Sequence, residues 1–188
     1  MYSRRSNLVI GFHGCDKVVA DKLICGDLQM KPSRNEYDWL GNGMYFWEYN
    51  EARAYEFASQ YAEGHGIKEP AVVGAVLDLG HCLDLMDSYG LQLFQDAYKA
   101  FAETASKSSR TLPENRLGQD KVLRYLDCAV IEYLHASRSE AGISKFDSVR
   151  AVFEEGSELY PGSAFKEKNH IQICIRNPEC IIGFFRPR

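Results

Sequence analysis

The sequence predicts an α+β fold, in which the strands lie toward both ends of the chain and the helices lie mostly between them. Short β-branched segments near the two ends predict the strands, and two long central segments with apolar residues at helical spacing predict helices. The length of 188 residues suits one domain with its own core. We therefore expect a single domain over residues 1–188.

The first half of the chain predicts three strands and two helices. Segments rich in β-branched and aromatic residues predict strands at 7–13, 43–47 and 71–79. Asp16 and Asn50 are suited to cap the helices that follow the first two strands. The first of these helices is expected to end at Gly26 and the second to reach Gly64. The polar stretch 27–42 predicts a long loop, which in a compact domain is usually functional or disordered.

The second half predicts two helices followed by three strands. Apolar residues at helical spacing predict the helices at 89–105 and 119–136. The second helix is expected to carry one broad apolar face formed by Val122, Leu126, Ala129, Val130, Tyr133 and Leu134. A polar segment, 106–118, connects the two helices. Strands are predicted at 148–153, 170–175 and 181–185, with a turn at Asn177-Pro178 before the last one.

Composition and charge restrict the classes of function. A net charge of -4 and a pI near 5.8 give no overall field that attracts nucleic acid. No apolar run approaches the roughly 20 residues of a membrane span, and the N-terminus does not read as a signal peptide, so we expect a cytoplasmic protein without a membrane partner. The six cysteines lack the spacing of a zinc or redox site, which predicts reduced core thiols and no bound metal. The absence of a Gly-x-Gly-x-x-Gly motif argues against a doubly wound nucleotide fold.

Two short motifs place polar and aromatic groups at strand positions near the start of the chain. In Phe12-His13-Gly14 the imidazole can project from a sheet edge while the glycine exposes its backbone N–H and C=O, which together can hold a planar amide. In Gly43-Met44-Tyr45-Phe46 a strand that follows a glycine-rich bend carries an aromatic ring that can stack on a flat ligand. A structural histidine and core aromatics are the alternatives. The two motifs together favour a ligand cleft.

These motifs resemble those of the histidine-tyrosine branch of the ADP-ribosyltransferase superfamily, which contains the poly-ADP-ribose polymerases and diphtheria toxin. The first motif is similar to the first-strand motif of that branch, and the second to its Gly-x-Tyr-Phe motif. The resemblance implies a split, mainly antiparallel sheet that binds NAD+ as a substrate. It also implies that His13 bonds the ribose on the adenosine side, that the Gly14 backbone holds the nicotinamide carboxamide, and that Tyr45 stacks on the nicotinamide ring. Tyr55 is near the place of a second stacking tyrosine, one residue short of it, with core packing as the alternative.

The third motif of this branch is normally a glutamate on a later strand, after a variable loop that contacts the acceptor. The residue in register here is Gln172, so the implied catalytic set is His13, Tyr45 and Gln172. A glutamine can position a ribose hydroxyl, but it offers only a dipole to developing positive charge and cannot act as a base. A base must then come from elsewhere. The acidic candidates, for which solvated surface charge is the alternative, are Glu48, Glu154, Glu155, Glu158 and Glu167.

The expected reaction is transfer of ADP-ribose from NAD+ to an acceptor, with release of nicotinamide. Arg34 and Asp38, in the loop before Tyr45, are expected near the pyrophosphate or the adenine side of NAD+, because an arginine fork suits phosphate oxygens. The acceptor is expected to be a protein, with nucleic acid as the alternative, and water in its place would hydrolyse NAD+. The resemblance also implies a toxin or defence effector. A non-catalytic NAD+ or ADP-ribose binding module and an RNA-directed relative, such as a 2'-phosphotransferase, stay open.

Overall fold

The computed structural model describes residues 8–116 and 122–188, which form seven strands and five α-helices. The strands are β1 Leu8–Asp16, β2 Met44–Glu48, β3 Pro70–Asp78, β4 Cys82–Asp84, β5 Ser148–Phe153, β6 His170–Ile175 and β7 Ile181–Phe185. The helices are α1 Lys17–Cys25, α2 Glu51–Gln60, α3 Ala62–His65, α4 Ser88–Lys107 and α5 Tyr125–Glu140. A short 3-10 turn, Pro178–Cys180, joins β6 to β7.

All seven described strands belong to one open sheet in the order β4-β5-β6-β2-β1-β3-β7. Neighbouring strands are antiparallel except β4 and β5, which are parallel. The predicted α+β fold with a mainly antiparallel sheet is therefore confirmed. Within the described ranges no helix is both long enough and apolar enough to cross a membrane.

The two faces of the sheet carry separate cores. On one face, Val149 and Cys174 pack with Ile131 of α5 and Ala97 of α4. On the other face, Cys180 and apolar side chains of the central strands form the core; these side chains are Met44, Phe46, Ala75, Leu77, Ile173 and Ile175. Since side chains alternate along a strand, Tyr45 on β2 and the cross-strand residue Cys174 on β6 belong to the α5 face.

The ends of α1 and the start of α2 follow the predicted capping chemistry. The Asp16 carboxylate accepts the backbone N–H of Val18 at 2.9 Å, and Gly26 adopts the left-handed conformation, with a φ of 79°, at the other end of α1. The side chain of Asn50 accepts the backbone N–H of Arg53 at 3.1 Å. These contacts fix the helices that directly follow β1 and β2, the two strands that carry the sequence motifs.

Several predicted element bounds were wrong. The helix predicted at 119–136 begins at Tyr125, and its predicted face loses Val122, because Leu123 pairs with Arg116 in an isolated bridge; residues 119–121 lie outside the described ranges. The helix predicted to reach Gly64 is interrupted at Tyr61, whose φ of -108° is not helical, before α3. Strand β1 continues beyond the predicted end to Asp16, and Asn7 lies outside the described residues.

The cysteine prediction holds for most of the thiols. None of the six cysteines forms a disulfide, and Cys15, Cys128, Cys174 and Cys180 are buried as expected. Cys25 is exposed at the end of α1, which differs from the prediction, and Cys82 is partly buried and packs against the core. Burial raises the pKa of Cys174 to about 12, which keeps that thiol protonated and unreactive at neutral pH.

Candidate functional site

The sheet opens between β1 and β2, beside the two sequence motifs. Strand β1 pairs with β3 along all nine of its residues, but with β2 only at Gly11↔Glu48 and Phe12↔Trp47. The backbone pairing stops after Phe12, and the next contact with β2 is made by a side chain. The Nδ1–H of His13 donates to the Tyr45 carbonyl at 2.9 Å. A ligand that enters the sheet edge here therefore meets both motifs.

The backbone of Gly14 faces this opening. The Ile10 carbonyl accepts the N–H of Tyr49, so the backbone groups of Ile10 point toward β2. Backbone direction alternates along a strand, and the N–H and C=O of Phe12 and Gly14 therefore point the same way. A Cβ at Gly14 would lie 2.0 Å from the carbonyl oxygen of Ala54, so α2 packs directly on this position and only glycine fits.

His13 is partly buried and uncharged near neutral pH. Burial lowers its pKa, and this effect outweighs the hydrogen bond to Tyr45, which raises it. Because Nδ1 carries the proton that is donated to Tyr45, Nε2 keeps its lone pair. His13 thus presents one acceptor atom that makes no hydrogen bond within the described part of the chain.

Tyr45 is fixed in place by both its backbone and its hydroxyl. The hydroxyl donates to the carbonyl of Gly41 at 2.6 Å and accepts the N–H of Leu40 at 2.9 Å. Its ring packs against the core beneath α5, and burial raises the pKa of the phenol well above its usual value. Tyr45 therefore holds the end of the 27–42 loop against the strand that borders the opening.

Gln172 lies next to this cluster on the α5 face. On β6 it pairs with Trp47 of β2 and with Ala151 of β5, two positions along from the Tyr45↔Cys174 pair. Its side chain is partly buried and makes no hydrogen bond to any described residue. The fold thus brings Tyr45 and Gln172 to one face of adjacent strands, and His13 and Gly14 to the strand across the opening.

Arg34 and Tyr55 lie beside two other cavities. Arg34 is exposed and lines a cavity of about 340 Å³ between the 27–42 loop and α5, together with Asn42, Tyr125 and other residues. Tyr55 is 53% exposed on α2 and lines an open depression with Lys168. His13, Gly14 and Tyr45 line neither of these cavities.

Asp38 is engaged within its own loop. Its carboxylate accepts the backbone N–H of Asn35 at 2.9 Å and also the Asn35 side-chain amide at 3.2 Å. These bonds give Asp38 a role in shaping the loop that precedes Tyr45. Two other charged residues of the loop, Arg34 and Glu36, line the cavity beside α5.

Glu48 does not offer a free carboxylate. Its two oxygens accept from the Arg150 guanidinium at 2.5 and 2.8 Å, and the same guanidinium contacts Asp84 at 3.2 Å. The three side chains are only 11–12% exposed, so the charges are held in a partly dry network between β2, β4 and β5. Glu48, one of the five candidate bases, therefore has its charge paired in a fixed fork.

The other acidic candidates lie in the segment between β5 and β6. Glu155 forms an ion pair with Arg53 of α2 at 2.8 Å, and Glu158 accepts the backbone N–H of Gly162 at 2.9 Å. Glu154 and Glu167 have exposed side chains. In residues 8–116 and 122–188, no group of three or more His, Cys, Asp or Glu residues is placed to hold a metal ion.

His170, which was predicted only as a strand residue, is a buried histidine near Gln172. It starts β6 with 5% exposure, and its Nδ1–H donates to the Lys168 carbonyl at 2.6 Å. Its ring stacks with Trp39 and Phe153 at centroid distances of 6.0 and 5.7 Å. The signal in the sequence was its period-2 relation to Gln172, which puts both side chains on one face.

Comparisons with known proteins add one related chain. An uncharacterized protein of Methanocaldococcus jannaschii is similar to this chain at 27% identity over 191 residues, which cover 90% of this chain and 83% of the relative. No family model matches the chain, and no solved structure matches it. The geometry of the site therefore carries the functional interpretation.

Proposed function

We propose that the protein binds NAD+ in the opening between β1 and β2 and transfers its ADP-ribose to an acceptor, releasing nicotinamide. The observation that carries this proposal is the loss of strand pairing after Phe12↔Trp47, beside both sequence motifs. The opening is bordered by the backbone of Gly14, by the His13 ring and by Tyr45. The resemblance to the ADP-ribosyltransferases assigns these groups their roles.

The groups at the opening match the chemistry of the nicotinamide end of NAD+. A carboxamide has one donor and one acceptor side, which the C=O and N–H of Gly14 can satisfy together. The nicotinamide ring of NAD+ is positively charged, and a fixed aromatic face such as that of Tyr45 attracts a cation. Neutral His13 has a lone pair on Nε2 for a ribose hydroxyl. Arg34 and Tyr55 remain predicted contacts for outer parts of the ligand.

Gln172 is suited to orient the ribose during bond cleavage. When the bond between C1' and the nicotinamide nitrogen breaks, its electron pair leaves with nicotinamide and positive charge develops on the sugar. The amide oxygen of Gln172 offers a dipole toward that charge, and a carboxylate would stabilise it more strongly. We therefore expect slow transfer by the wild type and faster transfer by Gln172→Glu.

A binding module without transfer is the second candidate function. It is favoured by the same residue: Gln172 lacks the charge of a carboxylate, and the nearby carboxylates of Glu48 and Glu155 are paired with arginines. Such a protein would bind NAD+ and release no nicotinamide. Product analysis therefore separates the two functions, whereas binding alone does not.

Calorimetric titration with NAD+ tests the site. Tyr45→Ala is expected to abolish binding and His13→Ala to weaken it strongly. Tyr89→Ala removes an exposed tyrosine on α4 and is the matched control that should bind like the wild type. Tyr45→Phe keeps the ring and should retain binding. Unchanged titration curves for both Tyr45→Ala and His13→Ala would rule out this site.

A further inference from the structure

Buried polar atoms without partners concentrate around His170. In the described part of the chain, buried side-chain nitrogen or oxygen atoms that lack a hydrogen-bond partner are Trp47 Nε1, Arg53 Nε, Arg124 Nε, His135 Nε2, Asn169 Oδ1 and His170 Nε2. All of these except His135 belong to His170 or to side chains grouped about it. A buried polar group left unpaired costs about 1–3 kcal/mol. Such a concentration indicates that the site binds water or a ligand.

The grouping around His170 follows from direct contacts. The rings of Trp47 and His170 lie 6.4 Å apart between centroids. Arg53 and His170 share Glu155, whose Oε2 lies 2.8 Å from the Arg53 guanidinium and 3.9 Å from His170 Nδ1. The guanidinium of Arg124 lies 4.8 Å from the centre of the Trp39 ring, which itself stacks on His170.

We propose that His170 is the general base of the transfer reaction and that its Nε2 holds a small hydroxyl nucleophile, with water as the simplest case. This inference rests on the proposed function and names the class of acceptor. Because Nε2 is buried and the His170 side chain is 1% exposed, the nucleophile bound there must be small. A water molecule fits such a place when two to four polar partners surround it.

The partners of that nucleophile lie on one face of the sheet. Trp47 pairs directly with Gln172, and its indole N–H is unpaired and able to donate to the nucleophile's oxygen. His170 lies two residues before Gln172 on β6, about 7 Å along the strand by the rise per residue. The proposal places the nucleophile between Nε2 and the ribose that Gln172 orients. Gln172 cannot supply a base, so His170 supplies the function that the glutamine lacks.

The protonation state of His170 suits a base. Its Nδ1–H is committed to the Lys168 carbonyl, so the lone pair of the neutral ring lies on Nε2. Burial is the largest effect on its pKa and lowers it, and the Arg53 charge adds to that lowering. The hydrogen bond to Lys168 and the carboxylates of Glu155 and Glu56 act in the opposite direction. The ring is thus neutral near pH 7 and can accept a proton.

The proposed step balances in atoms and charge. The nucleophile's oxygen forms a bond to C1' of the ribose, and the bond from C1' to the nicotinamide nitrogen breaks with its electron pair on that nitrogen. The proton of the nucleophile passes to Nε2 of His170, and Glu155 lies 3.9 Å from Nδ1 to stabilise the imidazolium. The ring then returns the proton to solvent. With water, NAD+ and water give ADP-ribose, nicotinamide and one proton.

Steady-state nicotinamide and ADP-ribose formation by the purified protein, without added acceptor, tests this inference across pH 4.5 to 8. We expect wild-type kcat to fall on the acid side through one protonation below about pH 6.5. His170→Gln should lower kcat by about 10²- to 10⁴-fold and abolish that acid limb, with NAD+ affinity unchanged. Trp47→Phe should lower kcat by about tenfold, as the loss of one hydrogen bond does. His81→Gln, which replaces an exposed histidine, is the matched control and should behave like the wild type.

The outcomes separate this inference from the function on which it rests. Equal rates and equal pH profiles for the wild type and His170→Gln would overturn the role of His170 and leave the transferase proposal standing. Release that requires an added protein acceptor would overturn the small nucleophile. NAD+ binding without nicotinamide release at any pH would overturn both and favour the binding module. If His170→Gln does not fold, a wild-type profile without an acid limb is sufficient to refute the base.

Discussion

Replacing Gly14 by alanine tests the close packing that shapes the opening. The new Cβ would lie 2.0 Å from the carbonyl oxygen of Ala54 and 3.1 Å from the Cβ of Ala58, both on α2. Ordinary carbon contacts need about 3.5 Å, so α2 must move away from β1 by roughly 1.5 Å. Both alanines are fully buried, and the obstacle is backbone rather than a flexible side chain. We therefore expect a loss near the upper end of overpacking effects, about 3 kcal/mol in the free energy of unfolding.

Thermal unfolding followed by circular dichroism measures this loss. For a domain of this size, about 3 kcal/mol corresponds to a fall in Tm of roughly 6–12 °C. Gly183→Ala on β7 is the matched control, because a Cβ there meets no atom within 4 Å, and its Tm should stay within about 2 °C of the wild type. A Gly14→Ala protein as stable as Gly183→Ala would refute the close approach of α2 to β1.

Three further perturbations address other parts of the structure. Tyr45→Phe removes both hydrogen bonds of the hydroxyl and should lower the free energy of unfolding in urea by about 1–3 kcal/mol; no change would contradict the anchoring of the loop. Arg150→Met leaves the partly buried Glu48 carboxylate without its guanidinium partner and should cost about 3–5 kcal/mol, part of which Glu48→Gln in the same chain should restore. Burial lowers the pKa of His135 to about 4, so the unfolded chain binds its proton first as pH falls. Stability should therefore be complete above pH 6.5 and decline by up to about 3 kcal/mol toward pH 4. A His135→Asn protein should lack this part of the fall in stability between pH 6.5 and pH 4. If its stability depends on pH in the same way as that of the wild type, this prediction is contradicted.

Local patterns in the sequence account for most of the fold. Strands β5, β6 and β7 have the predicted bounds, because each is a short β-branched segment closed by polar or turn residues. Strand β4 was missed, since Cys82–Asp84 is too short for an alternating pattern and forms by parallel pairing with β5, more than sixty residues later. The start of α5 was misplaced for a related reason: Leu123 continues an apolar pattern, but tertiary pairing with Arg116 removes it from the helix.

Only those features of the candidate site that follow from the order of the motifs along the chain could be predicted from the sequence. The motifs at His13 and Tyr45 lie on neighbouring strands, which their sequence positions suggested. The pairing of Glu48 with Arg150 could not be predicted from the sequence. Glu48 lies on β2 and Arg150 on β5, and these strands come near each other only because β6 lies between them and pairs with both. The burial of His170 depends in the same way on Trp39 and Phe153, which come from distant parts of the chain.

Nicotinamide release from NAD+ by the wild-type and Gln172→Glu proteins, each measured with and without cell lysate, tests whether the protein cleaves NAD+ at the proposed site. We expect the wild type to release nicotinamide slowly and Gln172→Glu to release it faster, because a carboxylate stabilises the charge that develops on the ribose. Stimulation by lysate would point to a macromolecular acceptor in place of water. If neither protein releases nicotinamide and neither binds NAD+, this result contradicts the assignment of the opening between β1 and β2 as an NAD+ site.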